Sequence, residues 1–546
     1  MQLPTISWVS WEAFRVLLVL LAASAVYNVY KLSRRFFSPL RRLQGPKPTS
    51  IIFGSLKEVI KDDTVLNEWA ERYGGTFKVR LLLGGYRVCT LDPRAITYVL
   101  SHTDIYPKPE YLQHMLSAVV GKGLLIAEGD DHKRQRRIMN PSFSPGQIRE
   151  VTPIFFDIAN QLCDVLNSML SKTPETEGAE IDMYSWVGRA ALDVIGQAGF
   201  GYRFNALYDE TNDLYCAFRD MMQALANSGP VGLLVNRFRI LRWLPLQHNR
   251  TMKQSQATTT RIGMQLVRAK KEAVQQEMED QHLEKTKVVG RDILSSLIRA
   301  NMAADLSPAH RMSDEEVLDQ ISTFIVAGHE TTSTGLTWTL LSLAQNPSVQ
   351  EKLRAELSLV SEEAPSMDDL NALPYLDMVV KESLRYHCPV RGTARVATVA
   401  DSIPLSRPII DKYGVQQDHI RVQRGDQVGV ESVALNHATE FWGPDAEAFR
   451  PERWETAEGT EGANVIPGIY AHQMTFIGGP RACIGYRFSV IETKALLFTL
   501  VRSFEFSPIE GKEIGMKEVI VIRPFVKAEE GRGFQLPLRV RRVQRA

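Results

Sequence analysis

Phe476-Ile477-Gly478-Gly479-Pro480-Arg481-Ala482-Cys483-Ile484-Gly485 sets one cysteine among glycines, with an arginine two positions before it. Glycine tolerates backbone angles that other residues avoid, and it lets a large flat partner approach closely. Backbone N–H groups near the sulfur, together with Arg481, favour a thiolate over a thiol. Gly485 lets a following helix begin tight against such a partner. A turn that buries a packing cysteine shows the same lone Cys. The loop alone therefore leaves two readings, a presented thiolate or a structural thiol.

The spacing of Phe, Gly, Arg, Cys and Gly in this loop resembles the haem-binding loop of the haem-thiolate monooxygenases, the cytochromes P-450. The resemblance implies that Cys483 is the axial ligand of a haem b iron (iron protoporphyrin IX), where its electron push favours O–O cleavage. It also places Phe476 and Arg481 in the cofactor-binding loop. The remainder of the chain supplies independent tests.

The 546 residues carry 64 Lys and Arg against 63 Asp and Glu, so a net charge of +1 gives no ground for nucleic-acid binding. Five cysteines, Cys89, Cys163, Cys216, Cys388 and Cys483, are scattered without metal-site or disulfide spacing, which favours a reducing compartment. No internal repeat is visible.

After a tail of residues 1–12, residues 13–31 are mostly apolar and long enough for a spanning helix, with Trp8 and Trp11 suited to an interface. Lys31, Arg34, Arg35, Arg41 and Arg42 follow, which by the positive-inside rule keeps that flank in the cytosol. A cleaved signal peptide is the competing reading, because Ala23-Ser24-Ala25 resembles a cleavage site. Against it, the basic cluster follows the apolar run and does not precede it. Residues 32–48, ending in Gly45-Pro46-Lys47-Pro48, read as a basic, Pro-rich hinge, and 49–546 as the catalytic body. The resemblance implies a single-pass protein of the endoplasmic reticulum membrane with its catalytic domain in the cytosol.

Within the body, 76–83 and 86–91 read as a hairpin around Gly84-Gly85, and Asp92-Pro93 starts a helix. Residues 104–125, flanked by prolines and glycines, read as irregular. The charged run 128–137 reads as a helix with a largely solvated face. In the resembled family this helix carries Trp, three residues, then Arg, both reaching the haem propionates. Arg136 matches the Arg, while His132 stands where Trp is usual and keeps a hydrogen-bond donor. Helices are expected over 148–170, 184–200, up to about 225, and 258–285. The apolar stretch 229–245 reads equally as a core loop or as a loop dipping into the membrane.

Ser313 and Glu316 form a capping-box pattern that opens a helix running to about residue 344. In its middle, Ala327-Gly328-His329-Glu330-Thr331-Thr332 is poor in helix propensity, and a threonine hydroxyl can bond back to a carbonyl and open the helix locally. A packing glycine beside threonines is the plainer reading. The family's oxygen-activating helix has the same order of residues, which implies that Glu330 and Thr331 relay protons.

Glu382 and Arg385 share one helix face, and most such pairs are surface pairs. The family's Glu-x-x-Arg motif, joined by a later arginine, implies a structural network of Glu382, Arg385 and Arg453 behind the haem. It also implies that Arg395 reaches a propionate. Residues 457–467 read as an inserted loop, 486–500 as a helix under the haem, and 519–543 as a pair of strands.

The resemblance implies a mainly α fold with a small β portion near the N-terminal end of the body, the cytochrome P-450 fold, preceded by one transmembrane helix. It implies insertion of one atom of dioxygen into a lipophilic substrate. Electrons would come from NADPH through NADPH–cytochrome P-450 reductase, with cytochrome b5 as a second donor. The sequence looks like filamentous-fungal members, in which secondary-metabolite synthesis and xenobiotic oxidation both occur. Two other functions fit the cysteine loop, a reductase-independent peroxide isomerase and a non-catalytic haem carrier. The Glu330-Thr331 pair speaks against the first, which has no use for a proton relay.

Overall fold

The computed structural model describes residues 37–61, 65–172, 174, 177–209, 211–226, 247–280, 292–302 and 310–543, with isolated positions between 15 and 26. Apart from those positions, the expected anchor over 13–31 lies outside the described residues, as does the whole stretch 229–245. Among the described residues no helix is long and apolar enough to cross a membrane.

The chain forms two compact units, one of residues 1–107 and 393–431, the other of 108–392 and 432–546. The first is built on a four-stranded sheet. Thr76–Arg80 pairs antiparallel with Tyr86–Thr90, which pairs parallel with Gln427–Glu431, beside Gly392–Val396. The expected hairpin is present with shorter strands, its link forming a 3-10 turn at Leu82–Gly84. Asp92 caps the helix Pro93–Ser101 by accepting the Ala95 N–H at 2.9 Å. A second hairpin, Asp401–Ile410 with Gln416–Val422, was not legible in the sequence. Asp401 of that hairpin accepts the hydroxyls of Tyr98 and Tyr106 at 3.1 and 2.8 Å.

The second unit is mainly helical. Its frame is α1 (Gly129–Met139), α2 (Pro145–Leu170), α3 (Met183–Val194), α4 (Asp314–Gln345), α5 (Pro374–Tyr386) and α6 (Tyr486–Ser503). Ser144 and Ser313 cap α2 and α4, the latter with the full capping box. α4 is buried on every side from Thr332 to Ala344. Its hydroxyls survive there because Thr337 and Thr339 donate to the carbonyls of Ser333 and Gly335, at 2.7 and 2.8 Å. α3 runs into a π-helical turn at Ile195–Gly199 that packs on α4. A Cβ on Gly328 would come within 3.0 Å of Ile195, so glycine permits that approach.

Several expectations are corrected. Residues 104–125 are not irregular throughout, because Glu110–Val120 is a helix. Eleven residues free of Pro and Gly lie between the breakers, and the flanks masked them. Residues 205–209, 211 and 212 are not helical, the helix there being Asp213–Ala226. The insertion after residue 456 is a 3-10 stretch, Ala457–Val465, with Gly459 and Gly462 packed on neighbouring backbone. The β portion is not confined to the N-terminal end of the body. Here Pro537–Arg542 lies between Ala179–Asp182 and Phe504–Pro508, while β1 (Ile514–Val519) pairs with β2 (Val521–Val526). The tail thus supplies two strands that pair with other segments, not with each other.

Candidate active site around Cys483

The cysteine loop is closed by its backbone. A 3-10 turn at Met474–Phe476 ends at Ile477, whose φ of 45° is a strained value for a β-branched residue. The Cys483 N–H donates to the Phe476 carbonyl at 3.0 Å. Gly478 is required, because a Cβ there would lie 1.9 Å from the Pro467 carbonyl oxygen. The Phe476 ring packs against Tyr470 and Tyr486, at 5.8 and 6.0 Å between centroids. Its observed part is to fix the loop. Gly485 precedes α6 as expected.

The Cys483 thiol is solvent-accessible, yet burial raises its pKa. The Gly485 N–H and the charge of Arg136 pull in the opposite direction and favour the thiolate. Arg136, not Arg481, is therefore the cation acting on the sulfur. Arg136 Nη1 donates to the Ala482 carbonyl, next to the cysteine. Arg481 turns to the Ala127 carbonyl and the Glu128 carboxylate.

Around Arg136 and Arg481 a positive corner forms. Lys108 Nζ lies 3.6 Å from Glu128, and the Lys108 backbone N–H donates to the same carboxylate at 3.2 Å. His132 is buried beside them. Burial first, then the charges of Arg481, Lys108 and Arg136, hold its pKa down to about 3, so it stays neutral. Burial also lowers the pKa of both arginines. Three cations against the single carboxylate of Glu128 leave the corner net positive, and with a neutral imidazole among them and Arg136 acting on the sulfur they suit the carboxylates of a haem, so the residues fit the cofactor that the loop implies. Arg395 belongs to the first unit. It is buried there, with Nη1 donating to Thr393 Oγ1 at 2.6 Å and to the Ala394 carbonyl at 2.9 Å.

On α4, the Thr331 hydroxyl donates to the Ala327 carbonyl at 2.6 Å. The expected back-bond forms, but the helix runs unbroken through it. Glu330 Oε2 accepts from Arg523 Nη2 at 2.7 Å, and Oε1 lies 3.8 Å from His329 Nδ1. The Glu330 and Thr331 side chains do not bond each other among the described contacts. Glu382, Arg385 and Arg453 come together in the same unit, Arg453 Nε lying 3.4 Å from Glu382 Oε1.

Lys108 and Arg523 escaped the sequence reading. Lys108 sits between two prolines in a segment read as irregular. Arg523 carried a usable signal, a lone charge in the apolar strand Val521-Ile522-Arg523-Pro524-Phe525, since such a charge demands a buried partner.

An accessible cysteine sulfur with Arg136 at its side and a cation cluster nearby, in a mainly helical unit, fits a haem-thiolate protein. The family model for Cytochrome P450 matches residues 44–527. Cytochrome P450 monooxygenase 205 of Postia placenta is 45% identical over 510 residues, covering 92% of this chain and 93% of the relative. Cytochrome P450 monooxygenase 128 of the same fungus is 44% identical over 526 residues, covering 94% and 95%. Cytochrome P450 monooxygenase claW of Ampulloclitocybe clavipes is 34% identical over 520 residues, covering 92% and 93%. The chain belongs to the cytochrome P450 family and is a monooxygenase of that family, whose members bind haem through a cysteine thiolate. Members of the family generally draw electrons from a redox partner and act on lipophilic substrates.

Proposed function

We propose that the chain inserts one atom of dioxygen into a lipophilic organic substrate, taking electrons from NADPH through a reductase, in secondary-metabolite synthesis or xenobiotic oxidation. The observation that carries this reading is the solvent-accessible Cys483 with Arg136 acting on its sulfur, Arg136 belonging in turn to the Lys108, His132 and Arg481 corner. When bound, haem supplies the dioxygen chemistry, with the cysteine sulfur as its electron-rich ligand. Arg136 and Arg481 hold the cofactor's carboxylates, with His132 as a neutral donor and Arg395 as a further arginine clamp. Glu330 carries protons at its carboxylate, and Thr331 passes them on once its hydroxyl turns from the Ala327 carbonyl. Glu382, Arg385 and Arg453 hold the scaffold and touch no reacting atom.

Residues 13–31 anchor the protein in the endoplasmic reticulum membrane, with cytochrome b5 as a second electron donor. The apolar run followed by a basic cluster supports this. Deleting residues 1–31 releases the protein from microsomes if the run is the anchor, and retention there overturns that assignment.

The test of the activity is turnover with purified reductase. Thr331→Ala should keep its haem and consume NADPH, but release the electrons as hydrogen peroxide. Product formation without NADPH and reductase would instead point to a peroxide isomerase.

A further inference from the structure

The pair formed by Glu330 on α4 and Arg523 on β2 is nearly sequestered, with side chains 14% and 5% exposed. The strand that carries Arg523 does not need the pair to hold its place. The neighbouring Ile522 carbonyl accepts Trp338 Nε1 of α4 at 2.7 Å, and the Ile522 N–H donates to the Pro389 carbonyl at 2.9 Å. The Arg523 guanidinium lies 5.1 Å over the Phe534 ring, and its Nε has no hydrogen-bond partner among the described residues. A buried guanidinium with an idle donor is a poor structural cross-link. Its ion-pair partner is the carboxylate read above as the proton carrier.

The hairpin is also tight where it reverses. Val519 stands opposite Val521, and Ile520 between them has a φ of 68°, strained for a β-branched residue. Three other groups set the electrostatics around the pair. Tyr184 of α3 interacts with both charges, and burial, then Glu330, pushes its phenol up. His329, the neighbour of Glu330 on α4, has its pKa lowered chiefly by burial. Phe534 lies between the arginine and Tyr184, its ring centroid 6.4 Å from that of Tyr184.

We infer that Arg523 is a positioning residue for Glu330. It fixes the carboxylate through Oε2, leaving Oε1, on the His329 side, as the oxygen that exchanges the proton. This rests on the reading of Glu330 as a relay. It assigns the direction of that relay to a residue of the C-terminal hairpin.

The test uses the full haem-loaded chain and the variants R523Q, R523K, E330Q and R523Q/E330Q. Infrared difference spectra across a pH series follow the protonated-carboxyl band. Removing a neighbouring arginine raises a carboxyl midpoint by about 1–3 pH units. R523Q should show such a rise, R523K should stay near the wild type, and the band should vanish in R523Q/E330Q. R523K retains the buried charge and guards against misfolding of R523Q. In parallel, substrate-free turnover with NADPH and reductase reads the fraction of consumed dioxygen released as peroxide. E330Q should raise that fraction, and R523Q should move its pH midpoint upward in step with the infrared band. A carboxyl band indifferent to R523Q overturns the positioning role by itself. Peroxide release indifferent to E330Q overturns the relay reading, and this inference with it.

Discussion

Glu382 and Arg385 lie one turn apart on α5 and close two hydrogen bonds, of 2.7 and 2.9 Å, with neither side chain reaching solvent. The remaining guanidinium donors of Arg385 go to the carbonyls of Asn436, Ala446 and Ala448. Glu382 also accepts the Arg450 N–H at 2.9 Å and Trp454 Nε1 at 3.0 Å. One carboxylate therefore organises the segment around 436–454 against α5. Removing it leaves Arg385 buried without its carboxylate, while Arg453 keeps Asp445 at 2.7 Å, and breaking such a buried pair costs about 3–5 kcal/mol. Glu382→Ala is expected to lower the thermal midpoint by that measure and to lose haem on purification. A midpoint equal to that of the parent protein would show that the network is dispensable.

A second prediction concerns pH. His387 stacks on Trp338 at 5.1 Å and bonds Ser342 Oγ through Nε2 at 2.7 Å. Burial first, then the charges of His437 and Arg385, hold its pKa down to about 3 from an ordinary 6.5. In the unfolded chain the ring takes a proton near the ordinary value. In the folded chain it stays neutral. Its contribution to stability is thus complete above about pH 6.5 and is lost as pH falls towards 3. Against a His387→Gln variant, the parent protein should lose urea resistance faster as the pH is lowered through this range. Parallel stability curves would mean that the ring does not titrate as argued.

These two sites also show what the sequence could reveal. The Cys483 loop was legible because it rests on fixed residue types at fixed spacing, whereas the Glu382 network was legible only through the family resemblance, since its spacing alone points to a surface pair. Ser313 and Asp92 were legible because capping is local chemistry. The pairing of Pro537–Arg542 with Ala179–Asp182 was not, since the partner lies more than 350 residues away and alternation names no partner. For the same reason the sequence points to Arg481 as the cation at the sulfur. Adjacency in the chain suggested it, whereas the fold turns its side chain to Glu128 and brings Arg136 in from α1.

Cys483→Ser separates ligation from folding. The thiol's favourable contacts are the Gly485 N–H and the charge of Arg136, neither of which holds an element in place. The apoprotein variant is expected to unfold within about 1 kcal/mol of the parent apoprotein, as the loss of a single modest hydrogen bond implies. The reduced carbon-monoxide complex, however, should lose the red-shifted Soret band that a thiolate ligand produces. An unaltered band in the variant would remove Cys483 from the iron.

The positive corner yields the last prediction, a ranking. Arg136 contributes a charge and bonds the Ala482 carbonyl beside the cysteine, so it serves both the loop and an approaching carboxylate. His132 is neutral and contributes at most one donor. Charge-assisted hydrogen bonds are roughly twice as strong as neutral ones. Arg136→Gln should therefore lower the haem-to-protein absorbance ratio more than His132→Phe. His132→Trp, which restores a ring donor of the kind usual in the family, should retain haem as well as the parent does. Lys108→Met should fall between the two, since Lys108 brings a charge that it already shares with Glu128. Haem retention that fell as far in His132→Phe as in Arg136→Gln would invert the ranking. The imidazole, rather than the guanidinium, would then be the principal hold on the cofactor.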